Sequence, residues 1–172
     1  MKFTLYAAQT VNGNIAGSGD RPISNKALWK SYYSIAKRFK AIVVGSRTYD
    51  IMLEHGTFGK IGRPFVVVCS RHRTAKSSGN VSFVRSVDEA ADMLRRRGFG
   101  SALIGGGGGL NASFMRAGLV DELILDIDSS AFGEGTNLFS GTAFNARLSL
   151  IGVKKFSDEA VQLRYSVDSV RA

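Results

Sequence analysis

Five consecutive glycines, Gly105–Gly109, separate the apolar run "SALI" from the helix-patterned stretch "LNASFMRAG". A glycine held in ordered structure costs roughly 0.5–1 kcal/mol of extra conformational entropy, so an unbroken run needs a physical reason. A tight turn or a close strand–helix contact accounts for one or two glycines. A ligand that presses polar groups onto the naked backbone accounts for more. The run therefore implies a strand ending in a turn, a helix beginning beyond it, and a binding surface between them.

The rest of the chain repeats this alternation. "FTLYAAQ" reads as a strand and "AIVVG" (41–45), "RPFVVVCS" and "NVSFV" as buried ones. Between them lie helical patterns. "SNKALWKSYYSIAKRF" has Ser24 as its expected cap and Leu28, Tyr32, Ile35 and Phe39 on one face. "SRTYDIMLEHG" closes on Gly56, and "SVDEAADMLRRRG" carries a Ser86–Glu89 capping box and a terminal Gly98. A strand "DELILDID" follows the glycine segment, and "LSLIGVKKFSDEAVQLRYSV" reads as two strands around a turn at Ser157–Asp158. Strands alternating with helices predict an α/β fold of three layers, α/β/α, around a mostly parallel sheet with an antiparallel C-terminal pair.

At 172 residues, 44% hydrophobic and 22% charged, the chain fits one domain, residues 1–172. No apolar run reaches the roughly 18 residues of a membrane span, and the expected location is cytoplasmic. The single cysteine, Cys69, lies in "FVVVC" and reads as an inert buried thiol. A net charge of +9 favours anionic partners: nucleic acid, phosphorylated metabolites or a nucleotide cofactor. The basic residues are dispersed and follow no nucleic-acid-binding pattern, which makes a nucleic-acid-binding module the weaker alternative.

In open α/β sheets, ligands bind outside the carboxyl ends of the strands. There the first turn of a helix offers unpaired N–H groups and about half a positive charge, suited to phosphate. The run is not a P-loop, because Leu110 and Asn111 follow Gly109 where Lys-Ser/Thr is required. Nor is it a Rossmann fingerprint. Asp126 and Asp128 stand near the distance of its acid, but too few strands follow to complete two three-strand halves. Two more strand ends carry complementary chemistry: "GSRT", Gly45–Thr48, and "SRHR", with Ser70, Arg71 and Arg73. Guanidinium groups grip phosphate bidentately, so these turns favour a dinucleotide bearing an extra 2′-phosphate, NADPH before NADH.

These stretches together resemble the dihydrofolate-reductase-like fold, including the C-terminal reductase domain of riboflavin biosynthesis enzymes. "FTLYAAQTVNGNIAG" is similar to the opening strand and its S-x-D-G-x-I-A loop, with Asn12 in place of Asp. "VVGSRTYD" is similar to G-R-x-T-Y/W-E, and "IGGGGGLNASFMRAGLVDELIL" with "AFGEGTNLF" to G-G-G-x-L … G-L-V-D-E … G-x-G-x-x-L-F. The resemblance spans nearly the whole chain and implies an NADPH-dependent reductase on a mixed sheet of about eight strands. It implies that Gly45, Ser46, Arg47, Thr48, Ser70, Arg71, Gly106, Gly107, Gly108 and Gly109 hold the cofactor's phosphates. Ala7 and Ile15 would border the nicotinamide. The family often dimerises through strand edges, so a homodimer is expected. Hydride transfer needs neither a catalytic triad nor a metal, and His55 and His72 read as isolated surface residues.

Two departures bear on the substrate. Dihydrofolate reductases carry a carboxylate on the first helix, and this helix has no Asp or Glu. Riboflavin-pathway reductases commonly show Glu before the double glycine and an Asp-Asp-Pro stretch; Ile104 and Tyr49-Asp50 stand there. The positive charge and "ISN" (23–25) favour a phosphorylated ribosylaminopyrimidine, with dihydrofolate or another pterin as the alternative. Asp20, Asn25, Lys26 and Trp29 are the substrate-side candidates.

Overall fold

Period-two alternation sends successive strand side chains to opposite faces, and here both faces are apolar. In β1 (Lys2–Thr10), Phe3, Leu5 and Ala7 enter one core while Tyr6 enters the other. In β4 (Ala41–Gly45) and β5 (Phe65–Cys69), Ala41, Val43, Phe65 and Val67 face the first core, and Ile42, Val44, Val66 and Val68 the second. Helices must therefore cover both sides. The computed structural model, which describes residues 1–73 and 79–171, has this three-layer arrangement.

The main sheet has eight strands, and β6 (Val81–Val84), β7 (Ser101–Ile104), β8 (Glu122–Asp128), β10 (Asn145–Lys155) and β11 (Ala160–Arg171) complete it in the order β10-β11-β8-β1-β7-β4-β5-β6. From β8 to β6 every pairing is parallel, whereas β11 runs antiparallel to β8, and β10 to β11. The mixed sheet and its antiparallel C-terminal edge are those expected. Two helices, α4 (Val87–Arg96) and α5 (Gly108–Arg116), cover the first core through Ala90, Ala91, Leu94, Phe114 and Met115. On the other face α1 (Lys26–Ala36), α2 (Ser46–Glu54) and the single turn α3 (Thr57–Lys60) supply Ile35, Met52 and Ile61 just beyond it.

Local signals hold with specific corrections. The cap of α1 is Asn25, not Ser24: its Oδ1 accepts from the Ala27 N–H at 2.8 Å. Ser86 caps α4 as predicted, accepting from the Glu89 N–H at 3.1 Å. Glu89 reaches back to the Arg85 N–H at 2.8 Å, one residue before the cap. The glycine helix starts earlier than expected, so Gly108 and Gly109 form its first turn. A small second sheet was not foreseen. It joins β2 (Asn14–Gly17) to β3 (Arg21–Pro22) and to β9 (Gly135–Asn137), seating the loop after β1 beside the sheet's carboxyl edge. Among the described residues, no helix is long and apolar enough to cross a membrane.

Candidate functional site

A cleft of about 860 Å³ opens at the carboxyl ends of β1, β4, β5 and β7. Its volume lies near the upper end of small-molecule sites. Ala7, Ile15, Gly45, Ser46, Arg47, Thr48, Ser70, Arg71 and Gly106–Gly109 all line it, as do Asp20 and Trp29. Asn25 and Lys26 do not. Asn25 is committed to capping α1 and donates from Nδ2 to the Asp128 carboxyl at 2.6 Å, and Lys26 is exposed.

The five glycines have different reasons. A Cβ on Gly105 would come within 2.9 Å of the Ile42 side chain, and Gly106 has φ +96°, outside the ordinary range of L residues. A Cβ on Gly108 would lie 2.3 Å from the Asn137 carbonyl oxygen. These three are fixed by packing and backbone geometry. A Cβ on Gly107 or Gly109 would meet nothing closer than 3.5 Å and 3.9 Å, and both face the cleft. Part of the run is thus internal carpentry, and part is bare surface open to a ligand.

Four longer helices divide by how they begin. Side chains cap α1 and α4. No side chain caps α2 or α5, and both start on the cleft wall. The N–H groups of Gly108 and Gly109 donate to no group among the described residues. The Gly107 N–H is not available, since it donates to Thr48 Oγ1 at 3.1 Å and ties the two turns together. Asn111 is fully buried on the same wall; its Nδ2 donates to the Leu138 carbonyl at 3.0 Å, while its Oδ1 has no partner among the described residues.

Guanidinium groups surround this half. Arg47 pairs with Asp20 across the rim, joining the start of α2 to the loop before β3. Arg71 is exposed at the rim, and Arg85, which the sequence reading did not single out, joins it at the end of β6. Arg73 turns away. It pairs with Asp50 at 2.7 Å and packs over the Tyr49 and Phe83 rings at 5.5 and 5.3 Å. The Ser70 hydroxyl accepts from the Arg73 N–H at 3.0 Å and so shapes its own turn. Burial pushes the Cys69 thiol up to about 12, with Glu89 adding to the effect, which keeps it protonated and unreactive near neutrality. His55 and His72 stand on the exposed rim, and no metal-binding cluster occurs among the described residues.

The other half, beneath α1, is aromatic. The rings of Tyr6 and Tyr32 lie 5.4 Å apart, and Trp29 meets Tyr32 edge-on at 6.3 Å, with all three lining the cleft. The sequence reading found only Trp29 of these. It also missed Thr136, Ser140 and Thr142, from the segment that packs over α5, where the Ser140 N–H donates to the Gly108 carbonyl at 3.2 Å.

The family model of the RibD C-terminal domain matches residues 2–162. The chain belongs to the RibD C-terminal domain family. Its fold is also that of several solved structures. A Shewanella sp. PV-4 protein whose name ties it to riboflavin biosynthesis aligns with a TM-score of 0.80 at 23% identity, covering 98% of this chain and 100% of that one. The Thermotoga maritima diaminohydroxyphosphoribosylaminopyrimidine deaminase/5-amino-6-(5-phosphoribosylamino)uracil reductase aligns at 0.76 and 18%, covering 96% of this chain and 56% of its own. A pyrimidine reductase-like protein of Corynebacterium diphtheriae aligns at 0.76 and 18%, covering 98% and 92%. No curated protein sequence matches at significance. The RibD C-terminal domain here thus spans little more than half of the two-function Thermotoga chain.

Proposed function

We propose that this RibD C-terminal domain is, over residues 1–172, an NADPH-dependent reductase of a phosphorylated ribosylaminopyrimidine. The observation that carries the reading is the convergence on one cleft of two uncapped helix starts, two unobstructed glycines and a set of guanidinium groups. Those residues fit a pyrophosphate-bearing dinucleotide. Gly107 and Gly109 leave room that a Cβ would fill, and the orphaned Asn111 Oδ1 offers an acceptor to a hydroxyl or amide. In this reading Gly45–Thr48, Gly106–Gly109 and Ser70 hold the phosphates, and Arg71 faces the 2′-phosphate. Ala7 and Ile15 border the nicotinamide. When bound, a reduced nicotinamide supplies hydride.

The chain's own work is alignment and exclusion of water. Ala7 lies on β1 between the two halves of the cleft, and Ile15 approaches from the small sheet. The Arg47–Asp20 pair tethers the loop before β3 to α2. The test is turnover: NADPH oxidation is followed with 5-amino-6-(5-phosphoribosylamino)uracil and, separately, with dihydrofolate. Oxidation with the pyrimidine alone supports the proposal, whereas oxidation with dihydrofolate alone, or with neither, overturns it. We also propose a homodimer. Leu148, Leu150, Ile151 and Val153 are exposed on the edge strand β10, an arrangement that soluble proteins commonly cover. A monomeric mass by light scattering contradicts that assignment.

A further inference from the structure

The basic residues are dispersed along the sequence but gathered in space. Each helix runs back against its strands, so the connections leading into β4, β5, β7 and β8 meet at the sheet edge opposite the cleft. Lys37, Arg38 and Lys40 lead into β4, Arg63 into β5, and Arg96 and Arg97 into β7. Arg116 ends α5 before β8. All seven are exposed, and none forms an ion pair among the described residues. Contacts tie the connections together around Phe65. Its N–H donates to the Lys40 carbonyl at 2.8 Å, its ring stacks on Phe99 at 5.5 Å, and the Arg97 guanidinium lies 4.5 Å from the ring centre. Since β1, β7, β4 and β5 are consecutive neighbours, this edge spans roughly 15 Å from Lys2 to Arg63. The acid of these connections, Asp121, is already engaged, accepting from the Phe3 N–H at 2.7 Å. On the cleft side, by contrast, Arg47 and Arg73 have the acidic partners Asp20 and Asp50.

Helix dipoles account for part of this gathering, because cations are favoured in and just after a helix's last turn. They do not account for Lys40 and Arg63, which stand beyond the ends of α1 and α3. Arg63 is also held at φ +52°, directly after Gly62 at φ +87°. That conformation is ordinary for glycine and costly for an arginine, yet the exposed side chain packs into no core. A cation kept at a cost on a surface crowded with unpaired cations has its use outside the fold. We propose that the amino-terminal edge of the sheet is a second binding surface, which grips the phosphodiester backbone of a nucleic acid strand without reading its bases. The chemistry of the patch favours that partner over two others. The connections expose no large apolar side chain, since Phe39, Phe99 and Leu119 are half-buried and Pro64 is buried. A membrane surface needs an apolar face to enter the lipid, and a protein partner needs an apolar or aromatic anchor. A phosphodiester chain needs only spaced cations, and lysine and arginine supply them.

The test uses the full chain and a fluorescein-labelled 20-nucleotide oligouridylate, followed by anisotropy across a salt series. The wild type is expected to bind with a slope of log affinity on log salt of about −3, the value for four to five single-strand phosphate contacts. Lys40→Glu/Arg63→Glu/Arg96→Glu should weaken binding at least tenfold and bring the slope to about −1. Lys30→Glu/Lys154→Glu/Lys155→Glu makes the same change of net charge away from this edge and should stay within about twofold of the wild type. Arg63→Gly separates binding from folding: it should weaken binding about twofold to threefold while melting no lower than the wild type. Saturating NADPH should leave the oligonucleotide bound, because the cleft lies at the other end of the strands. Equal losses in the two triple variants, displacement of the oligonucleotide by NADPH, or no binding by the wild type at low salt overturns the proposal. So does tighter binding to phosphatidylserine vesicles or to polyglutamate of the same charge, which assigns the edge to a membrane or to an acidic protein. None of these outcomes depends on turnover in the cleft, so the reductase reading stands or falls separately.

Discussion

On the glycine side of the cleft the chain offers main-chain N–H groups and guanidinium groups from the ends of β4, β5, β6 and β7. On the α1 side it offers aromatic rings from β1 and α1 over a buried carboxyl. The first side works by removing side chains so that the backbone becomes the ligand surface. The second works by stacking side chains and leaves the backbone hidden. Recognition of phosphate needs many small donors in fixed positions, which helix starts supply without entropy loss at binding. Recognition of a flat heterocycle needs area, which rings supply. Substitutions on the two sides should therefore fail in different ways.

The largest contrast is expected at neighbouring glycines. Gly109→Ala places a methyl group in open cleft within a helix's first turn, so the unliganded fold should gain about 0.5–1 kcal/mol of stability. NADPH affinity, measured by calorimetry, should fall by about 100-fold or more, because charge-assisted bonds to the main chain are lost. Gly108→Ala should behave oppositely. Its Cβ collides with the Asn137 carbonyl, so thermal melting should show a loss of about 2 kcal/mol, roughly 4–8 °C in Tm. Equal behaviour of the two variants breaks the division of the glycine run into packing and binding positions.

Smaller effects sharpen the same comparison. Arg71→Ala is expected to weaken NADPH about tenfold and leave NADH unchanged, as competition binding with the two dinucleotides would reveal. A control lies away from both halves. Burial pushes the Glu122 carboxyl up, but Lys2 at 2.7 Å and Arg164 at 2.5 Å more than reverse this and hold it below its ordinary value. A folded pKa below the unfolded one contributes stability above the ordinary carboxylate range, and that stability disappears as pH falls through the lowered value. Glu122→Gln should flatten the acid limb of a stability–pH curve by on the order of 1 kcal/mol while leaving ligand binding intact.

The glycine side was the more legible because its signals are local: a strand, bare glycines and a helix lie in sequence order. Even there, residue chemistry alone did not divide Gly108 from Gly109, since the Asn137 carbonyl that crowds Gly108 comes from the distant segment at β9. Asn25 shows how a helix can claim a polar residue beside a candidate site: its side chain caps α1 and lies outside the cleft lining. The aromatic side was scarcely visible, because Tyr6, Asp126 and Gln162 meet only through the register of β1, β8 and β11. In sequence Asp126 and Asp128 only stand near the distance of a Rossmann acid, a reading that the strand count rules against. The fold buries Asp126 on the α1 face.

The most direct measurement of the central claim is residue-resolved NMR of the backbone amides during NADPH addition. The account predicts saturable shifts at Gly45–Thr48 and at Gly107–Gly109, largest for the undonated N–H groups of Gly108 and Gly109. Shifts centred on another surface, or no change at these amides under saturating NADPH, contradict it.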